Sequence, residues 1–393
     1  MAAVAANDGA LNRRRAAALA LAALAFAASP PPQARAQSTD YDRMKRTIES
    51  ATRLTFSMEA SVVGQTGAPG SGLDAVQAMF TPGATWKAFD DADLGRGRID
   101  FSYLAAQYWS AANAAALATD VGLVSPLNAY PANVHFYRRL SYTQSTPDDR
   151  LAVTVGQYPF AAFDGNAYAN DQQIGFLSNS MSQNGSQNYS KASLGAYAQI
   201  LPNGPVTVAG GIHDGNNLTG TTIAFSTAGQ GPYAWFLYGA WSPELSRLGK
   251  GHYALLYYNL PGVPAQPLAS DGLSFSASQP VGKDWGLFVR ANTAWNSSFA
   301  VQSSVAAGAV LNDPLRRGAN DQLGLGAAWN RTNTALYPGQ PVLASETMLE
   351  LYWNQAVTPR LLVTPDLQLF LQRALVPGGG MAAVFSLRVT TLF

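Results

Sequence analysis

The chain closes with Ala383-Val-Phe-Ser-Leu-Arg-Val-Thr-Thr-Leu-Phe393, a run whose side chains alternate between two faces. Phe385, Leu387, Val389, Thr391 and Phe393 fall on one face; Ser386, Arg388 and Thr390 fall on the other. A period of two is a strand period. Its length matches the roughly 9–11 residues that carry a strand across a bilayer. After residue 36 no apolar run approaches the roughly 20 residues that a spanning helix needs. Backbone groups in hydrocarbon must pair among themselves, so a sheet crosses a membrane only by closing on itself. The expected fold is all-β, a transmembrane antiparallel β-barrel.

The alternation recurs along the chain. Leu361, Val363, Pro365, Leu367, Leu369 and Leu371 oppose Thr364, Asp366, Gln368 and Gln372. Thr347, Leu349, Leu351 and Trp353 oppose Glu346, Glu350, Tyr352 and Asn354. Near the start, Leu54, Phe56, Met58, Ala60 and Val62 oppose Thr55, Ser57, Glu59 and Ser61. Turn chemistry separates the strands at Thr146-Pro-Asp-Asp149, Leu201-Pro-Asn-Gly204, Gln279-Pro-Val-Gly-Lys283 and Thr358-Pro359. These signals predict sixteen strands, near 53–64, 75–88, 97–109, 133–145, 149–158, 189–201, 204–214, 233–243, 250–260, 271–279, 283–295, 299–311, 320–331, 343–355, 359–373 and 380–393. Barrels of about sixteen strands leave an aqueous channel. Pro365 lacks a ladder donor, which calls for a bulge or a place near the membrane edge. Residues 40–50 read as a short charged helix, and the Ala-rich stretch 110–128 as a helical insertion in a loop.

At the other end, Arg13-Arg14-Arg15, the apolar run Ala16–Ala28 and Ala34-Arg35-Ala36 have the three parts of a secretory signal peptide. The domain plan is a signal peptide over 1–36, a short periplasmic segment over 37–52 and a barrel over 53–393. Cleavage removes four Arg and one Asp, leaving 21 Lys+Arg against 23 Asp+Glu, a net charge of −2. No basic face is implied, so nucleic acid is not an expected partner. Cysteine is absent, so thiolate sites are excluded, and no cofactor is implied. Charged residues are only 12% of the chain, while Tyr, Phe and Trp number 17, 17 and 8. That balance fits a membrane barrel with aromatic girdles, although composition alone leaves a secreted β-sandwich or β-helix open.

Several stretches resemble the OprB-type carbohydrate-selective porins. They are Gly286-Leu-Phe-Val-Arg290, Asn320-Asp-Gln-Leu-Gly-Leu-Gly326 running on to Trp329, Glu346-Thr-Met-Leu-Glu350-Leu-Tyr352 and Val363-Thr-Pro-Asp-Leu-Gln368. Leu151-Ala-Val-Thr-Val-Gly-Gln157 and Phe163-Asp-Gly-Asn-Ala-Tyr-Ala-Asn-Asp171 extend the likeness toward the N-terminus. The segment after the first strand lacks an extended Gly- and Trp-rich region, and Val376-Pro-Gly-Gly-Gly380 replaces a longer acidic or Asn-rich stretch. The resemblance implies a sixteen-stranded Gram-negative outer-membrane porin that passes small sugars into the periplasm through an eyelet fringed by charges and inward-folded loops.

A pore selects by its width and by the groups on its wall. Strand parity turns Arg98, Arg139, Arg290, Arg388, Glu59, Glu350, Asp366 and Gln368 inward. Their ordinary role is to solvate a water-filled lumen; a specific role is to bind sugar hydroxyls. Residues 164–188, rich in Asn and Ser, are the candidate constriction loop, with Asp164 and Asp171 facing lumenal Arg residues if the loop folds inward; a mobile outer loop is the alternative. The competing classes are a non-selective porin and a barrel enzyme of lipase or protease type. His213-Asp214 is the tempting pair among His135, His213 and His252, yet no G-x-S-x-G surrounds any Ser and no metal-binding His spacing occurs. An export or adhesion barrel would bring a passenger or periplasmic domain, for which residues 37–52 are too short. Expected partners are outer-membrane lipids, small sugars, the barrel-assembly machinery acting on the strand that ends at Phe393, and further copies in a homotrimer hinted at by an uneven lipid face.

Overall fold

The computed structural model describes residues 40–186, 191–263 and 268–393. The expected signal peptide, residues 1–36, lies outside these. Among the described residues, sixteen strands close one barrel in which every strand pairs antiparallel with its sequence neighbours. They are β1 (Leu54–Ala68), β2 (Asp74–Asp91), β3 (Gly95–Tyr108), β4 (Val134–Ser145), β5 (Leu151–Tyr158), β6 (Ser193–Ile200), β7 (Val206–Asp214) and β8 (Tyr233–Trp241). The second half holds β9 (His252–Leu260), β10 (Ser270–Val281), β11 (Trp285–Trp295), β12 (Val301–Asn312), β13 (Gln322–Thr332), β14 (Ser345–Thr358), β15 (Leu361–Phe370) and β16 (Ala382–Leu392). Each corresponds to one strand expected from the alternation, with β1 running four residues further, to Ala68. β1 and β16 seal the barrel in a continuous register from Glu59↔Leu392 to Ala68↔Ala383.

The two faces separate as the alternation requires. Along β14, Leu349 and Leu351 are 37% and 44% exposed, while Glu346, Met348, Glu350 and Tyr352 between them are at most 1% exposed. Apolar groups outside and polar groups inside are what a lipid-facing wall and an enclosed lumen demand. Pro365 sits in the middle of β15 on the outer face, opposite Leu387 of β16. The β14–β15 ladder has no pair at Pro365 and resumes in unchanged register at Gln355↔Val363. The proline is therefore absorbed by a local gap in the ladder, with a bulge only further along, at Ala356/Thr358.

The even connections, from 92–94 to 359–360, run from two to ten residues and gather at one rim, the short-turn rim, with the start of β1 and the end of β16; the long segments 109–133 and 159–186 belong to the other. In the turn after β4, the Thr146 hydroxyl donates to Asp148 Oδ1 at 2.7 Å and holds that carboxyl below the usual carboxylate range. Between β8 and β9 a small hairpin pairs Glu244–Leu245 with Gly249–Lys250.

The charged helix at the start is α1 (Asp40–Thr52), with Asp40 and Asp42 in its first turn, where the helix dipole favours anions. It lies on the short-turn rim. Tyr41 meets Phe393 edge-on at 6.4 Å and lies 4.2 Å beneath the Arg360 guanidinium, which also pairs with Asp42.

A charge placed on the outer face tests the orientation of the wall. Leu351→Arg is expected to cost about 2–4 kcal/mol in guanidinium unfolding of barrel reconstituted in lipid. Leu94→Arg, in the β2–β3 turn where Leu94 is 68% exposed, is expected to change stability by less than about 0.5 kcal/mol.

Candidate functional site: a lumen narrowed by two inward segments

Two segments from the long-loop rim fold into the barrel. The first, 109–133, carries α2 (Ala114–Val121), whose N-terminus is capped by Asn113 accepting from Ala116 N at 2.9 Å. Gly122 ends it in the left-handed region, φ 92°. Leu117, Val121, Leu123 and Leu127 are at most 2% exposed because they lie against the inner wall. The second, 159–186, begins with a 3₁₀ turn (Phe160–Phe163) and includes α3, a single turn (Asn179–Ser182). Phe176 and Met181 join the same apolar cluster with Phe288, Val310, Met348, Tyr352, Phe370 and Val384 of the wall. Part of the lumen is therefore a packed core, which the expectation of a simply aqueous interior did not contain.

Glycine makes this close approach possible. A Cβ on Gly286 would stand 2.4 Å from the Tyr168 ring, and one on Gly326 would stand 2.6 Å from Met181 Sδ. The inner wall of β11 and β13 is bare where the second segment rests on it.

Charged wall residues fasten both segments. Glu346 accepts from Val124 N and Ser125 N at 3.0 Å each, from Ser125 Oγ at 2.7 Å and from Ala374 N at 2.9 Å. Glu350 accepts from the backbone N–H groups of Leu177 and Ser178. Gln368 donates to Leu127 O at 2.9 Å. Arg290 donates to Ala169 O at 2.6 Å and to Asp164 O, and its guanidinium stands 3.5 Å from the Asp164 carboxylate. Arg388 donates to Gly175 O at 2.9 Å, to Gln172 O and to Asn354 Oδ1. Asp366 stands beside Glu350, Arg388 and Ser386. Arg290, Glu350, Asp366, Gln368, Arg388 and Asp164 are each at most 4% exposed, so none lies open to the channel water. Charge-assisted bonds of this kind are worth about 1.5–3 kcal/mol each, and they offset the several kcal/mol that burying an ion costs.

The remaining candidates stand on the open side of the lumen. Arg98 donates to Asp100 at 2.9 Å, and Asp100 accepts from Thr85 at 2.8 Å. Asp171 and Glu59 are neighbours, and the Arg138 guanidinium is within electrostatic reach of Glu59. Arg138 is a residue that parity reading missed. The β3–β4 ladder steps from Ser102↔Arg139 to Tyr103↔Tyr137 and skips Arg138, a bulge. Below the skip Arg139 shares the inward parity of Ser141 and Thr143; above it Arg138 shares that of buried Phe136. The bulge thus presents two consecutive arginines to the interior. The signal was in the sequence: a strand carrying Arg-Arg must either expose a charge to lipid or break its alternation.

Arg98 and Arg139 also line a cavity of about 470 Å³ that runs from Phe163 to the short-turn rim. Tyr197, Tyr238, Gln199, Lys250 and His252 complete much of its wall. Of the three histidines, His213 is fully buried, its ring 4.2 Å from Phe160 and 4.1 Å from Tyr158. Among the described residues no carboxylate is hydrogen-bonded to either of its ring nitrogens. Asp214 instead accepts from Asn216 N at 2.9 Å and from the Thr227 hydroxyl. His252 meets Ser242 Oγ at 2.9 Å through Nδ1, while the group nearest its Nε2 is the Tyr238 hydroxyl at 3.4 Å rather than a carboxylate. Neither histidine has the oriented acid that a catalytic triad requires. Among the described residues there is no cluster of metal-binding side chains.

A family model described as "Carbohydrate-selective porin, OprB family" matches residues 106–260 and 262–393. The chain belongs to this family. It is an outer-membrane porin, a multi-pass β-barrel. Porin AaxA of Chlamydia pneumoniae is 33% identical over 355 residues, covering 87% of this chain and 80% of that protein. Porin AaxA of Chlamydia abortus is 30% identical over 88% of this chain and 79% of its own length. Among solved structures, OprB of Pseudomonas putida at high pH superposes with a TM-score of 0.72 at 16% identity, covering 93% of this chain and 99% of that one. OmpF of Salmonella typhi superposes at 0.57 with 10% identity, covering 86% and 97%. At these identities the likeness is one of fold.

The anchoring of the second segment in this porin is open to a direct test. Glu350→Ala leaves two buried N–H donors without an acceptor, at about 1–3 kcal/mol each. The segment 159–186 is expected to become cleavable by added protease while the barrel stays resistant, and single-channel conductance is expected to rise. An uncut segment with unaltered conductance would show that Glu350 does not hold it.

Proposed function

We propose that this porin is a diffusion channel for small carbohydrates, with segment 159–186 forming its eyelet. The observation that carries the reading is the charge arrangement on the open side of the lumen. Glu59 of β1 stands beside Asp171 of the segment and within reach of Arg138, whose chain neighbour Arg139 lines the same cavity as the Arg98 of the Arg98–Asp100 pair. Carboxylates and guanidinium groups held in this way offer both acceptors and donors to the hydroxyls of a sugar. The half-buried ring of Tyr238, 5.4 Å from that of Phe163, offers a flat face to its C–H surface. Membership of a carbohydrate-selective family supports the same substrate class.

In this reading Arg98, Arg139 and Asp171 meet the solute. Asp164, Arg290, Glu350, Asp366, Gln368 and Arg388 shape the path indirectly, by fixing the segment that narrows it. The short-turn rim and α1 face the periplasm, residues 1–36 are the export signal, and the strand ending at Phe393 is what the assembly machinery engages. A homotrimer belongs to the same proposal and is checked by light scattering in detergent.

Liposome swelling tests the substrate. Monosaccharides are expected to enter faster than amino acids of similar size, and Arg139→Ala is expected to reduce that preference while channels persist in planar bilayers. Equal rates for the two solutes would leave a non-selective porin. Lack of conductance would remove the channel itself, and phospholipid or peptide hydrolysis abolished by His213→Ala would put an enzyme in its place.

A further inference from the structure

The cavity between Phe163 and the short-turn rim has a charge imbalance that a passage for neutral sugars does not need. Arg98, Arg139 and Lys250 stand on its wall, and none of the residues lining it is Asp or Glu. Arg98 is partly neutralised by its 2.9 Å contact with Asp100. Arg139 and Lys250 make no ion pair among the described residues. Asp164, whose charge reaches Tyr238 of this wall, stands 3.5 Å from the Arg290 guanidinium, and Glu59 and Asp171 belong to the eyelet with Arg138; none of the three lines the cavity. The rings of Phe163 and Tyr197, each only 6% exposed, form part of this wall and put apolar surface beside its charges.

We propose that this vestibule is a subsite for anionic monosaccharides, sugars that carry a carboxylate or a phosphate. The inference rests on the carbohydrate-channel reading and refines its substrate class. A cleft lined by one sign of charge, with low-dielectric walls, concentrates the opposite ion. Here the arginines supply forked donors matched to a planar carboxylate or to phosphate oxygens, and Lys250 supplies a mobile point charge. The half-buried Tyr238 gives the sugar ring a face to lie on, while Gln199 and His252 add hydrogen-bonding groups for its hydroxyls. The volume, about 470 Å³, falls within the range of small-molecule sites and admits one hydrated monosaccharide.

Planar bilayers containing the full-length protein test the subsite. Under a KCl gradient the reversal potential is expected to show anions favoured by at least about threefold, falling toward equality as the Debye length shrinks from about 10 Å at 0.1 M to about 3 Å at 1 M salt. Glucuronate and glucose 6-phosphate are expected to occlude the current at roughly tenfold lower concentration than glucose, and glucosamine at no lower concentration than glucose. Block by glucuronate alone or by the phosphate alone assigns the anion that the subsite reads; either supports it. Lys250→Gln and then Lys250→Glu are expected to lower the anion preference stepwise, and Arg139→Gln to lower it as well. Arg150→Gln, an exposed turn charge on the same rim, is expected to leave the preference as it was. Cation preference, or equal occlusion by glucuronate and glucose in channels that still pass glucose, would overturn the subsite and spare the carbohydrate channel. Channels that exclude glucose as well would defeat both.

Discussion

The structure depends first on the rule that no backbone group may be left unpaired in hydrocarbon. A sheet obeys it only when its last strand finds its first, and here β1 and β16 meet over a register of ten residue pairs. Closure fixes which side of each strand is wet and which is oily, because a slip by one residue would exchange them. Everything inside follows from that assignment: the glutamates and arginines at alternate positions of β11, β14 and β16 are committed to the lumen before any loop has found its place.

Those inward charges create a second problem, and the two inward segments resolve it. An unpartnered Arg290, Arg388 or Glu346 would need water, and a lumen full of water would be wide. Each is instead met by backbone groups of segments 109–133 and 159–186. Carbonyls receive the arginines and N–H groups supply the carboxylates, so the segments are held by their main chain. Side chains such as Leu117 and Phe176 then fill the space between. The result is a lumen packed on one side and open on the other, with the width of the open side set by how firmly the packed side is held.

The barrel was legible because period-two alternation survives strand by strand, and Leu349–Tyr352 shows it as clearly in the structure as in the sequence. The site was legible only in part. Parity turned Glu350 and Arg388 inward but carried no information about what would meet them there, since all but Asn354 of the partners described above are backbone groups more than 170 residues away. Arg138 was hidden because parity counting assumes an unbroken ladder, and the break lies in the pairing with β3. The vestibule was hidden for a different reason: Lys250, expected to open the strand 250–260, lies instead in a separate small hairpin before it, whose facing alternation does not determine. The stretch 110–128 announced a helix through its alanines, but its Leu and Val positions gave no sign that they would face a barrel wall.

The helix on the short-turn rim gives the assembled molecule an order of events. Its partners, Phe393 at the end of β16, Arg360 between β14 and β15, and Thr55 and Phe56 in β1, come from opposite ends of the chain. They become neighbours only when the final seam is made. Before that moment α1 can reach only its chain neighbours Thr55 and Phe56; afterwards the Phe393 ring meets Tyr41 edge-on and its backbone is joined to Met58. A short charged helix thus acts as a latch that only a finished cylinder can fasten.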